Sequence, residues 1–284
     1  MTPWDARPLP QDAPPGPLGW LRVALRGLAM GTTVFGGLAL LLLLRLIEAP
    51  IFGTRRPVTP WITQGVCRVS LAILGLKVTR RGRPLAERGA MVANHSSWLD
   101  IFVLNAQANL YFVSKAEVSG WPGIGWLARA TGTVFIARDR REAARQARLF
   151  ETRLHHGHRL LFFPEGTSTD GRRVLPFKTT LFEAFLAEGL RHEMRLQAVS
   201  LCYHAPEGAR ADLYGWWGEM TFGGHLVQML ARRRHGSVTL VYHPPLRVDA
   251  YPNRKSLARA LEAHVRAGFE SAGAAPAPLR QHRP

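Results

Sequence analysis

Gly89-Ala90-Met91-Val92-Ala93-Asn94-His95-Ser96-Ser97-Trp98-Leu99-Asp100 is the stretch on which the reading of this chain turns. The apolar run from Gly89 to Ala93 predicts a buried strand that stops abruptly at a polar histidine. An amphipathic segment follows at once, with Ser97 and Asp100 at capping-box spacing. Two readings share these residues. In one, Asp100 completes a helix cap and His95 is a turn residue. In the other, His95 is a base at a strand exit and Asp100 is the carboxylate that orients it, the minimum equipment for taking a proton from a hydroxyl group.

The same alternation of short apolar runs and amphipathic segments continues on both sides. Strands are expected at Val78 to Arg81, Ala90 to Ala93, Leu110 to Val113, Val134 to Ala137, Arg159 to Phe163, Leu196 to Cys202 and Val238 to His243. Helices are expected at Ser97 to Gln107, Trp121 to Ala130, Arg140 to His156, Thr180 to Leu190 and Ser256 to Ser271. This order argues for an α/β fold, an open, mixed, mostly parallel sheet covered by helices, with its site at the carboxyl ends of the strands.

Upstream, residues 1–19 carry six prolines and little periodicity, as in a disordered leader. Eighteen uncharged residues then run from Gly27 to Leu44, between Arg26 and Arg45. That length just suffices for a bilayer core of roughly 30 Å. A connector with Pro50, Pro57 and Pro60 leads to Trp61 through Leu76, where Ile62, Val66, Val69 and Ile73 line one face of a helix fit for the membrane interface. Residues 20–76 therefore read as a membrane-associated helical segment, 77–271 as the α/β domain, and 272–284 as a disordered Ala/Pro-rich tail.

Charge points the same way. The chain holds 37 Lys and Arg against 20 Asp and Glu, a formal net charge of +17, and all but four of the cations are arginines. Guanidinium groups suit anionic partners. The arginines are scattered and no zinc-finger spacing, zipper or RNA-binding signature accompanies them, so membrane lipids are favoured and nucleic acid is not. Cys67 and Cys202 show no paired spacing, which leaves neither a disulfide framework nor a zinc site and fits a reducing compartment.

Further candidate residues sit where expected strands meet loops. Gly132-Thr133-Val134-Phe135-Ile136-Ala137-Arg138 brings a cation to a strand end, either for an anionic ligand or for a surface ion pair. In Phe162-Phe163-Pro164-Glu165-Gly166-Thr167-Ser168, Gly166 permits a tight turn, Glu165 could hydrogen-bond hydroxyls, and Thr167 and Ser168 add short donors. Arg172, Arg173 and Lys178 follow. Gln197 to His204 reads mainly as a core strand. His155, His156 and His158 fall at a helix end, where cations complement the dipole and Gly157 is a natural stop; no carboxylate or cysteine shares their spacing, so no metal site is assigned. Met220 to His235 fits either a membrane-surface helix with a basic end or a partly buried helix.

Taken in order, His95-x4-Asp100, Gly-x2-Phe-Ile-x-Arg138 and Phe-Pro-Glu165-Gly166-Thr167 resemble the glycerolipid acyltransferase superfamily, over roughly residues 75–245. The resemblance implies a membrane-bound O-acyltransferase in which His95 and Asp100 are the catalytic dyad and 77–271 is the catalytic domain. It implies that Arg138 and Glu165-Gly166, with Thr167, bind the acceptor. Phe112 to Glu117 and Trp121-Pro122-x2-Gly125 also match, adding Lys115 as a head-group cation. Ser200 stands where the family usually has proline. Pro176-Phe177-Lys178-Thr179-Thr180 departs from Phe-Lys-x-Gly of phosphatidate-making members and looks more like the branch that acylates lyso-ornithine lipids. The implied acceptor is a lysolipid, 1-acylglycerol-3-phosphate or lyso-ornithine lipid. The implied donor is an acyl carrier protein or coenzyme A thioester, without further cofactor. No Gly-x-Ser-x-Gly elbow is present, which excludes a serine-type hydrolase and favours direct transfer. The expected location is the inner (cytoplasmic) membrane with the catalytic domain facing the cytoplasm. A non-catalytic protein binding anionic lipid through its arginines is the rival reading.

Overall fold

The computed structural model describes residues 9, 10, 12–136 and 143–273. The first eight positions of the leader, Arg138 and the tail from 274 lie outside the described residues. Two helices come first, α1 (Pro17–Phe52) and α2 (Thr59–Leu74). The α/β part follows as β1 (Lys77–Arg81), β2 (Gly89–Ala93), α3 (Leu99–Gln107), β3 (Tyr111–Lys115), a 3-10 turn (Ala116–Gly120), α4 (Ile124–Ala130), β4 (Val134–Ile136), α5 (Ala143–His155) and β5 (Leu160–Phe162). The chain continues through a second 3-10 segment (Thr180–Leu186), α6 (Glu188–Arg191), β6 (Arg195–His204), α7 (Phe222–Ala231), β7 (Ser237–Tyr242), β8 (Leu246–Arg247) and α8 (Arg254–Ser271).

The strands form one mixed sheet in the order β1-β7-β6-β2-β5-β3-β4, with β8 added beside β6. From β6 to β4 every neighbouring pair is parallel, and the reversal falls between β6 and β7. The expected open, mostly parallel sheet is the one observed. All five residues of β2 are buried because both faces of the sheet are covered. Met91 and Ala93 pack toward α2, α3 and α7, while Ala90 and Val92 pack toward α5, α8 and the second 3-10 segment. The carboxyl ends of β2, β3 and β5 therefore open on one side of the molecule.

Three local differences from the sequence expectations have physical causes. Helix α1 runs on through Pro50 to Phe52, ending at Gly53 with φ 58°, whose amide still donates to the Ala49 carbonyl at 2.9 Å. The expected Thr180–Leu190 helix is a 3-10 segment followed by a short α-helix. Its Phe182 and Phe185, three apart as 3-10 geometry superposes them, both pack on Phe162. The two-residue β8 is too short to leave a periodic signal. Between the open alternatives for Met220 to His235, α7 is partly buried: His225, Met229, Leu230 and Ala231 face inward.

Helix α1 is long and apolar enough to cross a membrane, at about 54 Å for 36 residues. One side packs on α2 and α7, and Gly37 lets α2 approach so closely that a Cβ there would lie 2.2 Å from Val66 Cγ2. The ends are fastened by polar contacts. Arg22 and Arg26 donate to the last carbonyls of α7, at Ala231 and Leu230. Buried Glu48 accepts from the Val58 and Thr59 amides and the Thr59 hydroxyl at the start of α2. Most other α1 side chains, Leu28, Leu43, Leu46 and Ile47 among them, remain exposed.

Close backbone approach beside β2 gives a stability test. A Cβ at Gly89 would stand 1.9 Å from the Arg195 carbonyl oxygen of β6. Gly89→Ala is expected to cost about 2–4 kcal/mol, read from urea unfolding in detergent, because backbone and not a flexible side chain must move.

Candidate active site

The site is built where β2 stops. Asn94 turns its amide into β6, donating to the Leu201 carbonyl at 2.9 Å and accepting from the Leu201 amide at 2.8 Å. The next residue is thereby set free of the sheet. The His95 ring lies flat against Phe163, with centroids 4.0 Å apart and planes 11° off parallel. Its Nδ1 is 2.7 Å from Asp100 Oδ2. A carboxylate can only accept, so Nδ1 carries the proton, and in the neutral ring Nε2 keeps the lone pair. The His95 side chain is 19% exposed, whereas that of Asp100 is fully buried.

Asp100 holds the chain before α3 and the His95 ring at once. From the first turn of α3 its Oδ2 reaches back to accept the Ser96 and Ser97 amides at 2.7 and 3.0 Å, while it also holds His95. Its Oδ1 accepts the Tyr203 hydroxyl of β6 at 2.7 Å. Burial and the neighbouring Asp100 charge hold the Tyr203 phenol well above its ordinary value, so it stays a donor. The turn itself is braced from two other loops. The Thr169 amide donates to the His95 carbonyl at 3.0 Å, and the Trp216 amide donates to the Ser96 carbonyl at 2.8 Å.

Glu165 occupies an unexpected place for a residue read as a hydroxyl ligand. It is buried, and its two oxygens accept the His95 and Leu175 amides, each at 2.8 Å. It clasps the exit of β2 to the loop after β5. Gly166, at φ 72°, turns beside it, and the Lys178 ammonium lies over this turn, 2.7 Å from where a Cβ on Gly166 would be. Thr167 is half-buried on the same turn, and half-buried Lys115 ends β3 at the same end of the sheet. His95, Gly166, Thr167 and Lys178 thus lie on the segments that leave the paired ends of β2 and β5. Arg138 lies outside the described residues, just beyond β4, whose Ile136 pairs with Lys115. Asp170 and Arg173 form a buried ion pair at 2.8 Å that stiffens the loop.

Three contributors were not legible in the sequence. Asn94 carried the weak signal of an amide at a strand end, but Phe163 and Tyr203 carried none that distinguished them from core. Two members of the histidine cluster have structural partners. His156 bonds the Thr54 hydroxyl, and His158 is stacked on Tyr111 and pushed down to about 3 by burial and the neighbouring Arg153 and Arg56 charges. Among the described residues no group of three or more His, Cys, Asp or Glu is placed to hold a metal.

Burial pushes the Glu165 carboxyl up to about 8, against the pull of the two amides it accepts. Between its ordinary value of 4.5 and about 8, the folded protein therefore holds a proton that the unfolded chain has lost. This contribution to stability is complete below the lower value and is lost as pH rises through the upper one. Urea midpoints taken across that window should fall with pH, and Glu165→Gln should flatten the slope.

Residues 76–191 match the acyltransferase family. The lyso-ornithine lipid O-acyltransferase of Rhodobacter capsulatus is 57% identical over 94% of this chain and 96% of its own length. The lyso-ornithine lipid O-acyltransferase of Pseudomonas aeruginosa is 34% identical over 78% of this chain and 82% of its own. In fold, the chain is similar to the crystal structure of the 1-acyl-sn-glycerophosphate acyltransferase of Thermotoga maritima, with a TM-score of 0.63 at 21% identity, covering 92% of this chain and 100% of that one. With a relative this similar along nearly its whole length, the chain belongs to the acyltransferase family and is an acyl-transferring enzyme.

Proposed function

We propose that the enzyme esterifies the free hydroxyl of lyso-ornithine lipid, giving ornithine lipid, with His95 as general base. The observation that carries the reading is the 2.7 Å contact of buried Asp100 with His95 Nδ1, which leaves Nε2 as the acceptor at a partly open site. The acceptor hydroxyl oxygen attacks the thioester carbonyl of acyl carrier protein or coenzyme A while Nε2 takes its proton. The tetrahedral adduct then collapses, the carbon–sulfur bond breaks, and the imidazolium returns the proton to the departing sulfur. Asp100 stabilises the imidazolium between these steps. Lys178 over the Gly166 turn supplies positive charge for the oxyanion or for the acceptor's carboxylate, with Lys115, Thr167 and Arg138 completing the head-group contacts. Glu165 acts through the backbone, as a positioning residue.

Lyso-ornithine lipid is favoured over lysophosphatidate by the named relatives and by Phe177-Lys178-Thr179-Thr180, where the phosphatidate-making pattern is absent. The apolar α1 supports a place on the cytoplasmic membrane, with the site facing the cytoplasm, where such thioesters are made.

His95→Ala should lower ester formation by about 10²- to 10⁴-fold, the usual contribution of general-base assistance, while membrane association persists. Asp100→Asn should cost a similar factor, and Tyr203→Phe less, with KM unchanged in both. Near-normal turnover in His95→Ala would remove the dyad assignment. With labelled acyl carrier protein thioester and both lysolipids offered together, ester should form on lyso-ornithine lipid; product on lysophosphatidate alone would reassign the acceptor.

A further inference from the structure

The segment between β3 and β4 combines three features that the chemistry leaves unused. From Val118 to Ala128 it carries no charged side chain, in a chain with 37 Lys and Arg. It exposes two indoles, Trp121 at 42% and Trp126 at 62%, although large apolar side chains are normally withdrawn from water. It also starts at the carboxyl end of β3, the same end of the sheet at which His95 leaves β2, because both strands run parallel to β5 between them.

Two contacts place this segment in the fold. Helix α4, which carries exposed Trp126, packs against α1, whose Leu28, Leu43, Leu46 and Ile47 are exposed as well. On the other side, Trp121 stands edge-on to Trp216 at 6.4 Å, and the Trp216 amide holds the Ser96 carbonyl. A rigid amphipathic ring at the boundary of an apolar surface is the typical occupant of a lipid headgroup layer.

We propose that the Val118–Ala128 segment is a second membrane contact, with Trp121 and Trp126 seated at headgroup depth beside α1, so that the site receives its lysolipid from the bilayer surface. The inference rests on the membrane-bound reading above and places the rim of the catalytic domain, not only α1, in the interface. The partner is a lipid surface.

The experiment uses the full chain in phosphatidylcholine–phosphatidylglycerol vesicles, with a nitroxide attached at Trp126→Cys, at Leu43→Cys in α1, or at exposed Lys255→Cys. Native Cys67 and Cys202 are buried. The label at 126 should be more accessible to oxygen than to a water-soluble relaxant, as at 43 and opposite to 255. A water-accessible label at 126 with an immersed label at 43 overturns this inference alone. Water accessibility at both overturns the membrane-bound reading with it. As a functional counterpart, Trp126→Ala should raise KM for vesicle-embedded acceptor several-fold while leaving kcat, and turnover of micellar acceptor, unchanged. An effect confined to assays with acyl carrier protein as donor, equal in vesicles and micelles, would assign the indoles to donor docking and overturn the lipid assignment.

Discussion

An ionised carboxylate taken wholly out of water must be met by donors on every side, and Asp100 meets that demand. It draws the Ser96 and Ser97 amides, the His95 ring and the Tyr203 hydroxyl onto its two oxygens. Those donors belong to the end of β2, the start of α3 and the far end of β6. The helix start, the histidine tautomer and the packing of two strands therefore depend on one buried charge. Holding the helix start and holding the His95 ring, which compete as readings of His-x4-Asp, are a single arrangement in three dimensions.

Around this hub the loops hold one another by backbone atoms more than by side-chain pairs. Glu165 clasps the His95 and Leu175 amides, Thr169 and Trp216 hold the two carbonyls of the turn, and Gly215 lies so close to Asp170 that a Cβ would come within 2.6 Å of its carbonyl carbon. Bonds to backbone hold the turn in place without fixing the identity of the side chains on it, Lys178 and Thr167 among them. Such a division suits a family that keeps one reaction and changes the lipid it acylates.

The N-terminal helical part follows different physics. Helix α1 hides little of itself, yet its arginines at positions 22 and 26 complete the carbonyl end of α7, and Glu48 completes the amide end of α2. Helix ends leave backbone groups without partners, and charges of the right sign satisfy them. The apolar surface is thereby fixed relative to the sheet end that carries His95.

Much was legible in the sequence. Short apolar runs ending at Ala93 and Phe162, the uncharged stretch from Gly27 to Leu44, and the spacing of His95 to Asp100 are local properties, set by periodicity, length and near-neighbour hydrogen bonding. They determined the α/β order, the apolar helix and the candidate base. Only the tertiary structure decided that Glu165 faces inward to two amides, that Tyr203 closes the far side of Asp100, and that Phe163 carries the imidazole. These contacts join His95 to a residue 70 positions away and Asp100 to one 103 away. A buried carboxylate requires donors, but its own sequence neighbourhood holds no record of which distant strand will supply the last one.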